Sequence, residues 1–499
     1  MSPSTAEKET ILPAPLYCAE QVRAMDRHAI EILNIPGLTL MERAGKAAWE
    51  LLLERWPNAK VIAVFCGPGN NGGDGYVIAR LAKEAGLEVH LYSTTESACL
   101  KGDAATVCQR WLEAGGDNKK PSKLDETDLD LIVDALLGTG LDRPVEGEIA
   151  TTIDKINGLN VPVLALDVAS GLHSDKGALL GVAIEAEATI SFIGLKQGLF
   201  TGAGAALSGE IYFDSLGVPE AVLTSQLKSS ERFSPDSPYL PKRKKSAHKG
   251  LFGHVLVIGG DCGFSGAAQM AASAALRSGA GLVSVATREE HAPLLNLVHP
   301  ELMVHGVSQK ADAGFRLLLE RATVAAVGLG LGQGVWGQAL LAELIETNLP
   351  LVVDADALNL LAKEPLKRGN WVLTPHSGEA ARLLSTTVKE VEADRFSAVR
   401  KLQEKFGGVV VLKGAGTVVF DGAEVTINTT GNPGMASGGM GDVLSGVIAA
   451  LLAQGLSLSQ AARLGVWLHG KAADLATLDG ERGLLASDLF APLRALVNR

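Results

Sequence analysis

The sequence has little of several features that would mark it for a membrane, an oxidising compartment or a structural metal. No apolar stretch reaches the roughly 20 residues that a membrane-spanning helix needs, and the first 16 residues hold no apolar run of the signal-peptide type. The five cysteines are odd in number and form no C-x-x-C pair, which favours reduced thiols over disulfides or a zinc site. We therefore expect a cytoplasmic protein.

Positive charge is also scarce. The formal net charge is −11, whereas proteins that bind nucleic acid or anionic membranes need clustered lysine and arginine. The one basic run, Lys242-Arg243-Lys244-Lys245, lies among Pro, Ser and Glu and is typical of a solvated stretch. We predict small-molecule substrates and no nucleic-acid or membrane partner. Because α/β enzymes of this size commonly assemble symmetrically, we also expect a homo-oligomer.

Apolar residues are abundant, at 47% of the sequence. A single hydrophobic core stops growing at roughly 250 to 300 residues, so a chain of 499 residues is expected to form two domains. From Ser225 to Lys249 the composition shifts to Ser, Pro, Lys, Arg and Glu with little apolar periodicity, as in an interdomain linker. We therefore predict domains over 1–225 and 246–499, joined by a linker over 226–245.

Both halves alternate short apolar runs with helical patterns. Continuous apolar runs at 61–65 and 163–166, and again at 254–258 and 409–412, are typical of strands that are buried on both faces. Segments with helical periodicity lie between such runs. The sequence therefore predicts two α/β domains, of which the first contains a parallel, doubly wound sheet.

The first predicted strand runs into a glycine-rich segment, Gly67 to Gly75, with the sequence GPGNNGGDG. It contains G-x-G-x-x-G between a strand and a helix, but the next predicted strand, 89–93, ends without the carboxylate that would bind a ribose. Ordinary NAD binding is therefore not expected. The alternative is a tight turn in which asparagine adopts a left-handed backbone conformation.

Two more strand ends carry carboxylates that should reach the same crevice. Asp134 and Asp167 each close an apolar run, and with Asp74 they would repel one another unless a cation, a hydrogen-bond donor or a raised pKa compensates. A hard cation held by Asn71, Asp134 and an oxygen of Ser170 is one solution. Separate Asx turns are the other.

The segments GPGNNGGDG, DALLGTGL, LDVASGL and GLKQGL, the last around Lys196, together resemble the NAD(P)H-hydrate epimerase domain over most of residues 17 to 225. The resemblance implies a Rossmann-like domain that epimerises the C6 hydroxyl of hydrated NADH or NADPH. It implies a potassium ion on Asn71, Asp134 and Ser170. The residues that it places on the substrate are Asn70, Asn71, Gly72, Gly73, Asp74, Gly138, Thr139, Gly140, Leu141, Asp142, Arg143, Pro144 and Asp167.

Epimerisation at C6 requires a proton to move while oxygen is expelled and added again. We predict that Asp167 performs this acid–base step, for which a carboxylate is suitable if partial burial lifts its pKa towards neutrality. Lys196 is expected either to orient phosphate or substrate, or to cap a helix.

The second half contains the glycine-rich loop Gly438-Gly439-Met440-Gly441-Asp442, followed by an apolar helical pattern at 443–449. Glycines allow the backbone to close on an anion, and a helix N-terminus attracts negative charge, so this loop is suited to phosphoryl transfer with Asp442 as base. No Walker sequence occurs, so a nucleotide must be held in another way. The alternative is a turn that merely caps a buried helix.

This loop resembles the anion hole of ribokinase-like enzymes. With the segments 247–250, 264–268 and 374–379 and the sequence GNPGMASGGMGD, the second half resembles the ADP- or ATP-dependent NAD(P)H-hydrate dehydratases over about 246–498. The resemblance implies a ribokinase-like α/β domain in which adenine nucleotide contacts Lys413, Gly414, Ala415, Gly416, Thr417 and Gly441. It places the hydrated cofactor against Ala268, Gly332, His376 and Asp442, although the glycine run 328–332 can be aligned in more than one way.

The resemblance implies a bifunctional repair enzyme. Asp442 would take the proton of the C6 hydroxyl, which attacks the terminal phosphate of ADP with Mg²⁺ present, and loss of phosphate would return NADH or NADPH from the S epimer. The fusion of the two domains favours ADP over ATP. A ribokinase-like kinase that releases a stable phosphoester is the alternative enzyme, and a non-catalytic nucleotide-sensing or partner-binding module is the alternative for the first half.

Overall fold

A computed structural model describes residues 12–124, 128–235, 239–297, 299–308 and 312–499. The chain divides into two compact units, unit 1 (Met1–Glu231) and unit 2 (Arg232–Arg499). This division falls inside the predicted linker 226–245, whose bounds stay a prediction. Residues 1–11, on which part of the signal-peptide prediction rests, lie outside the described residues. Within the described ranges no helix is both long enough and apolar enough to cross a membrane.

Unit 1 is built around a sheet whose seven strands are all parallel, in the order β4-β3-β2-β5-β6-β7-β8. The strands in the described part of this unit are β1 (Pro15–Leu16), β2 (Val61–Cys66), β3 (Glu88–Ser93), β4 (Asn118–Lys119), β5 (Leu131–Ala135), β6 (Val163–Leu166), β7 (Ala188–Phe192) and β8 (Glu210–Asp214). The helices are α1 (Ala19–Arg27), α2 (Gly37–Arg55), α3 (Asn70–Glu84), α4 (Gly102–Glu113), α5 (Gly147–Gly158), α6 (Ala203–Leu207) and α7 (Glu220–Leu223). A short strand β9 (Ser230–Arg232) reaches the boundary.

The strand order explains where a ligand can bind in unit 1. β2 pairs with β3 on one side and with β5 on the other, so the chain changes direction across the sheet at β2. In doubly wound sheets the crevice at such a switch point lies beyond the carboxyl ends of the strands. Every residue of β5 and β6 is buried, as expected for parallel strands covered on both faces. The predicted parallel, doubly wound sheet is confirmed.

Unit 2 contains a mixed sheet in the order β12-β11-β10-β13-β14-β15-β16-β17-β18. Pairs from β12 to β16 are parallel, and β17 and β18 are added antiparallel. The strands are β10 (His254–Gly259), β11 (Leu282–Arg288), β12 (Met303–Val307), β13 (Val324–Leu329), β14 (Leu351–Val353), β15 (Trp371–Leu373), β16 (Val409–Leu412), β17 (Thr417–Phe420) and β18 (Val425–Asn428).

The described helices of unit 2 connect or follow these strands, and the first long helix and the last three share one large apolar core with the sheet. The described helices are α8 (Ser265–Arg277), α9 (Ala292–Leu295), α10 (Ala313–Arg321), α11 (Val335–Ile345), α12 (Ala355–Lys363), α13 (Ser377–Leu384), α14 (Val388–Ala393), α15 (Arg395–Phe406), α16 (Met440–Ala453), α17 (Leu458–Ala476) and α18 (Phe490–Leu496). The helix predicted at 443–449 is confirmed as α16, which is buried along almost its whole length. Because α16 is packed in this way, the position and orientation of its N-terminal turn within unit 2 are fixed.

Candidate functional sites

The glycine-rich segment of unit 1 forms the start of a helix. Gly69 is the N-cap of α3, and Asn70 to Asp74 make up the first helical turn. None of the residues 67–75 has a positive φ. The alternative of a turn with left-handed asparagine is therefore wrong, because these residues continue directly into the helical backbone.

Asp134, at the end of β5, is completely buried and well supplied with hydrogen bonds. Its two oxygens accept bonds from the Ser170 hydroxyl (2.7 Å), the Ser170 backbone N–H (2.8 Å) and the Leu136 backbone N–H (3.2 Å). Burial raises the pKa of Asp134 to about 6, and the hydrogen bonds from Ser170 and Leu136 oppose that rise. The structure thus brings together two of the residues predicted to hold potassium.

Asn71 completes this group. Its Nδ2 donates to the Leu137 carbonyl at 3.1 Å, while its buried Oδ1 has no hydrogen-bond partner among the described residues. The Ser170 hydroxyl also lies 3.1 Å from the Leu137 carbonyl. An unpaired buried oxygen beside further oxygen atoms and one carboxylate has the chemistry of a site for a hard monovalent cation. In the described residues no cluster of three or more His, Cys, Asp or Glu could hold a metal, so a richer carboxylate site is not seen there.

Asp167, the predicted acid–base residue, stands after β6 with a positive φ of 65°. Its Oδ1 accepts a hydrogen bond from Lys196, whose side chain is only 1% exposed. Lys196 also donates to the Ser191 hydroxyl (3.2 Å) and the Phe192 carbonyl (3.0 Å). Its side chain makes no capping bond to the short helix that follows, so the capping alternative is wrong and Lys196 is an ion-pair partner of Asp167.

The charge of Lys196 also acts on two more carboxyl groups, those of Asp26 and Asp74, and lowers the pKa of each. Burial raises the pKa of Asp26 on α1 to about 6, with Lys196 opposing the shift and Asp167 adding to it. Burial raises the pKa of Asp74 well above its usual range, and Asp167 and Asp26 raise it further. The predicted trio of carboxylates is therefore divided: Asp74 and Asp167 lie with Asp26, whereas Asp134 is compensated by its own hydrogen bonds with Ser170.

Sequence reasoning missed Asp26, because its helix was interpreted only as a packing element. The signal was a carboxylate directly after Met25 on a helix that otherwise presents apolar residues to the core. The structure also brings Gly138 next to Asn71, since an added Cβ on Gly138 would lie 3.2 Å from the Cβ of Asn71. The remaining residues of that segment, Thr139 to Pro144, are partly or fully exposed at the surface.

In unit 2 the predicted anion loop leads into α16. Gly439 is the N-cap with φ of 92°, and an added Cβ would collide with the Met270 side chain, so only glycine fits there. Gly441 and Asp442 belong to the first helical turn, where backbone N–H groups have no partner within the helix. This is a helix N-terminus of the kind that binds phosphate.

The predicted base, Asp442, has no ion-pair or side-chain hydrogen-bond partner in the part of the chain that the structure describes. Burial raises its pKa to about 7, the carboxylate of Asp354 raises it further, and Lys413 opposes the shift. A general base is most effective when its pKa lies near the working pH. Asp442 meets this condition.

Lys413 connects the predicted nucleotide loop to the start of α16. Its Nζ lies 2.7 Å from Asp354 Oδ1 and 3.9 Å from Glu379 Oε2, and the Ser445 hydroxyl donates to Asp354 Oδ2 at 2.8 Å. Burial lowers the pKa of Lys413, but Asp354 and Glu379 outweigh this effect and raise it. An added Cβ on Gly441 would lie 3.4 Å from Lys413 Nζ, so the ammonium group is next to the anion loop. Sequence reasoning missed Asp354, which follows β14.

His376 precedes α13 with its side chain 55% exposed. Its Nδ1 accepts a bond from the Gly378 backbone N–H at 3.0 Å, and its own backbone N–H donates to Glu379 at 2.9 Å. Burial and the neighbouring cations Lys413 and Arg382 lower its pKa, so the imidazole is neutral at pH 7. A neutral, accessible imidazole is suited to contact an uncharged part of a ligand.

The other predicted ligand residues of unit 2 differ in accessibility. Gly414 and Ala415 of the nucleotide loop are exposed, and the Thr417 hydroxyl closes this loop with a 3.0 Å bond to the Gly414 carbonyl. Gly332 is partly exposed and donates its N–H to Asp356 at 2.9 Å. Ala268 is completely buried within α8, behind the surface that a ligand could reach. The ligand contacts of these residues stay predictions.

Comparison with known families agrees with the division into units. Residues 37–198 match the sequence model of the family described as YjeF-related protein N-terminus, and residues 255–494 match that of NAD(P)H-hydrate dehydratase. A solved structure described as ADP/ATP-dependent NAD(P)H-hydrate dehydratase from Bacillus subtilis, co-crystallised with ATP and Mg²⁺, is 32% identical, covers 52% of this chain and 93% of its own, and has a TM-score of 0.47.

Two curated relatives match along nearly the whole chain. The bifunctional NAD(P)H-hydrate repair enzyme of Coxiella burnetii is 49% identical, covering 97% of this chain and 99% of the relative. The enzyme of the same name from Escherichia coli is 46% identical, covering 100% of this chain and 97% of the relative. These matches confirm the predicted resemblance, and the two sheets of the structure confirm the predicted class of two α/β domains. The chain belongs to the family of bifunctional NAD(P)H-hydrate repair enzymes.

Proposed function

We propose that this chain repairs hydrated NADH and NADPH. Unit 1 interconverts the R and S epimers at C6, and unit 2 dehydrates the S epimer with ADP as phosphoryl donor, releasing AMP and phosphate. The observation that carries the proposal is the unpaired carboxyl of Asp442, with a pKa of about 7, at the phosphate-binding end of α16 and near Lys413. This arrangement supports a proposal in which Asp442 accepts the proton of a hydroxyl that attacks a phosphate bound at the start of α16.

In unit 2, Asp442 takes the proton of the C6 hydroxyl as that oxygen bonds to the terminal phosphorus of ADP and the bond to AMP breaks. The free N–H groups at the start of α16 and the Lys413 ammonium stabilise the negative charge that develops on the transferred phosphoryl group. Mg²⁺ would arrive on the nucleotide phosphates and neutralise part of their charge.

The phosphoester at C6 is a good leaving group. Phosphate departs with the electrons of the C6–O bond, the lone pair of the ring nitrogen stabilises the cation, and loss of a proton from C5 restores the C5–C6 double bond. His376 is exposed, and Lys413 is near enough to help lower its pKa, which supports contact between its neutral ring and the nicotinamide portion without added charge. The sum of the steps is removal of water, driven by cleavage of ADP.

In unit 1, Asp167 exchanges the proton during epimerisation. The C6–O bond breaks with help from the ring nitrogen, and the hydroxyl takes up a proton and leaves as water. Water then adds to the other face of the ring and gives its proton to Asp167, and exchange with solvent returns the carboxyl groups to their starting state. Burial raises the pKa of Asp74 well above its usual range, which supports Asp74 as the group that supplies a proton to the leaving oxygen. Lys196 fixes the direction of the Asp167 carboxylate through its hydrogen bond.

Asn71, Asp134 and Ser170 would hold potassium in unit 1. The unpaired Oδ1 of Asn71 supports this proposal, and the ion would neutralise Asp134 and fix the first turn of α3 against the segment that follows β5. A ligand that binds only the folded protein raises the unfolding midpoint. We expect KCl to raise the midpoint more than choline chloride at equal ionic strength in the wild type and not in Ser170→Ala; an equal response in both proteins would exclude the site.

The direct test of the function is incubation with hydrated NADPH and either ADP or ATP, with both epimers, NADPH absorbance and free phosphate followed together. The proposal predicts that both epimers disappear, that NADPH and phosphate appear in equal amounts, and that ADP supports the faster reaction. A stable phosphoester without NADPH would indicate a kinase. Dehydration of the S epimer with only spontaneous epimerisation would indicate that unit 1 is a binding module.

Two further proposals concern the whole chain. The five free cysteines, of which Cys66 and Cys108 are buried, support a cytoplasmic location. The size and class of the enzyme support a symmetric homo-oligomer, which light scattering of the purified protein would detect by a mass that is a multiple of 52.0 kDa.

A further inference from the structure

An ion pair between a buried arginine and a partly exposed glutamate lies between two segments of unit 2 that carry predicted ligand residues, the nucleotide loop 413–417 and the segment around His376. Arg395, the first residue of α15, is 1% exposed, and its Nη1 lies 2.9 Å from Glu392 Oε1. Its Nη2 donates to the carbonyls of Leu412 (3.0 Å) and Lys413 (3.2 Å). One end of the pair therefore holds the backbone from which the nucleotide loop begins.

The other end of the pair holds the residue next to His376. Glu392 accepts a hydrogen bond from the hydroxyl of Ser377, and Arg395 Nη1 lies 3.5 Å from that hydroxyl. Ser377 is the first residue of α13, the helix that also carries Glu379. The pair thus spans from the predicted nucleotide loop to the predicted loop for the hydrated cofactor.

The contact with the nucleotide loop is close. Gly414 has φ of 142°, and an added Cβ would lie 3.0 Å from both Nη atoms of Arg395. A buried arginine is costly to leave without partners, so its hydrogen bonds resist displacement. A shift of the loop around Gly414 must therefore move the guanidinium group, and with it Glu392 and Ser377.

We infer that Arg395 and Glu392 are positioning residues that couple the two ligand sites of unit 2, so that adenine nucleotide and nicotinamide nucleotide bind cooperatively. Binding of a ligand at the nucleotide loop or at the segment around His376 orders the hydrogen bonds of Arg395 and Glu392. The second ligand then binds a segment that is already ordered. Thermodynamic reciprocity requires the effect to be the same in both directions. The inference rests on the proposed function, which supplies the identities of the two ligands.

The variant Glu392→Ala isolates this coupling. The Glu392 side chain is 39% exposed, and its removal cuts the link to Ser377 while leaving Lys413 bound to Asp354. Ser377→Ala is a second variant that cuts the same link and keeps the Glu392–Arg395 pair. Glu404→Ala, an exposed change on the same helix α15, is the matched control.

The experiment is calorimetric titration of the full chain with ADP, with and without saturating NADPH, the reaction product, and the reverse titration. In the wild type and Glu404→Ala we expect NADPH to tighten ADP binding by at least about fivefold, the lower range of typical allosteric coupling. In Glu392→Ala and Ser377→Ala we expect this factor to fall below about twofold, with each Kd for a single ligand changed by less than about threefold.

Steady-state kinetics give a readout that loss of structure alone would not produce. In the two variants KM for each substrate should rise when the other is scarce, while kcat with both substrates saturating stays within about threefold of wild type. No cooperativity in the wild type, or equal cooperativity in Glu392→Ala, Ser377→Ala and wild type, overturns the inference. Failure of the wild type to bind either ADP or NADPH would instead contradict the proposed function.

Discussion

The two candidate sites both place a lysine among carboxylates, but they use it differently. In unit 1 Lys196 is paired directly with Asp167, the residue predicted to exchange a proton. In unit 2 Lys413 is paired with Asp354, and Asp442 is left without an ion-pair partner among the described residues. In each unit a carboxyl outside the ion pair has a pKa that burial raises: Asp442, to about 7, in unit 2, and Asp74 in unit 1.

The glycine-rich motifs of the two units are similar in sequence, but the groups around them are suited to different ligands. Both become the first turn of a helix, α3 in unit 1 and α16 in unit 2. The turn of α3 carries Asn71, whose buried Oδ1 has no hydrogen-bond partner among the described residues, and the turn of α16 carries glycine next to an ammonium group. The first chemistry suits a cation and the second suits a phosphate.

The largest effect is expected from Asp442→Asn. The amide keeps the shape of the side chain but cannot accept the hydroxyl proton, so dehydration of the S epimer should slow by about a thousandfold. ADP binding by calorimetry and epimerisation by unit 1 should remain at wild-type values. The control Asp479→Asn changes an exposed residue of the same unit and should have no effect. Near-normal dehydration by Asp442→Asn would show that Asp442 is not the general base.

The next largest effect is expected from Asp167→Ala in unit 1. Epimerisation should fall by at least about a hundredfold, because the residue exchanges the proton, while dehydration of purified S epimer continues at the wild-type rate. Interconversion of the two epimers is measured by chromatography. The matched control is Asp154→Asn, an exposed aspartate on α5. Loss of both activities in Asp167→Ala would show that the two units do not act independently.

A smaller effect is expected from Asp26→Asn. This variant tests whether Lys196 in unit 1, unlike Lys413 in unit 2, acts through the predicted acid–base residue with which it is paired. The pKa of Asp26 is about 6, so the wild-type carboxyl loses its proton as pH rises through that value and then shares Lys196 with Asp167. The amide resembles the protonated form at every pH. We expect epimerisation at pH 8 to fall by about tenfold and to become independent of pH between 5 and 7. An unchanged pH profile would exclude Asp26 from the site.

The smallest effect is expected from Asp354→Asn. In the wild type the Asp354 charge raises the pKa of Asp442, and kcat/KM should rise with pH through about 7 as Asp442 loses its proton. Removing that charge also frees Lys413 to approach Asp442, and both changes favour the carboxylate. The rising limb should therefore move to lower pH by about one unit. A shift to higher pH would contradict this electrostatic account.

Much of both sites could be predicted from strand ends. Because parallel strands present their carboxyl ends at one edge, Asp134 and Ser170 could be expected to meet there, and the structure joins them by two hydrogen bonds. Asp354, which directly follows β14, could have been found in the same way, whereas Asp26, which lies on α1, could not. Their roles depend on which lysine approaches which carboxylate across segments distant in sequence, and no periodicity of the chain encodes such a contact.

Local backbone geometry was the other feature of the fold that could not be predicted reliably from the sequence. The sequence GNNGGDG has the composition of a turn, yet Gly69 caps α3 and Asn70 begins it. Its glycines serve close packing instead: an added Cβ on Gly73 would lie 2.6 Å from the Met41 side chain, and one on Gly75 2.8 Å from the Ala135 side chain. In unit 2 the helix after the glycine-rich loop was predicted correctly, because the apolar residues that follow Asp442 already required a buried helix.

The most direct test of the central claim, that unit 1 supplies the epimer that unit 2 consumes, mixes the two disabled variants. With an equilibrium mixture of epimers and ADP, Asp167→Ala alone should rapidly convert only the S share and then continue at the spontaneous rate of epimerisation. Addition of Asp442→Asn, which retains a working unit 1, should restore rapid and complete formation of NADPH. Rapid conversion of both epimers by Asp167→Ala alone, or no acceleration on mixing, would contradict the account.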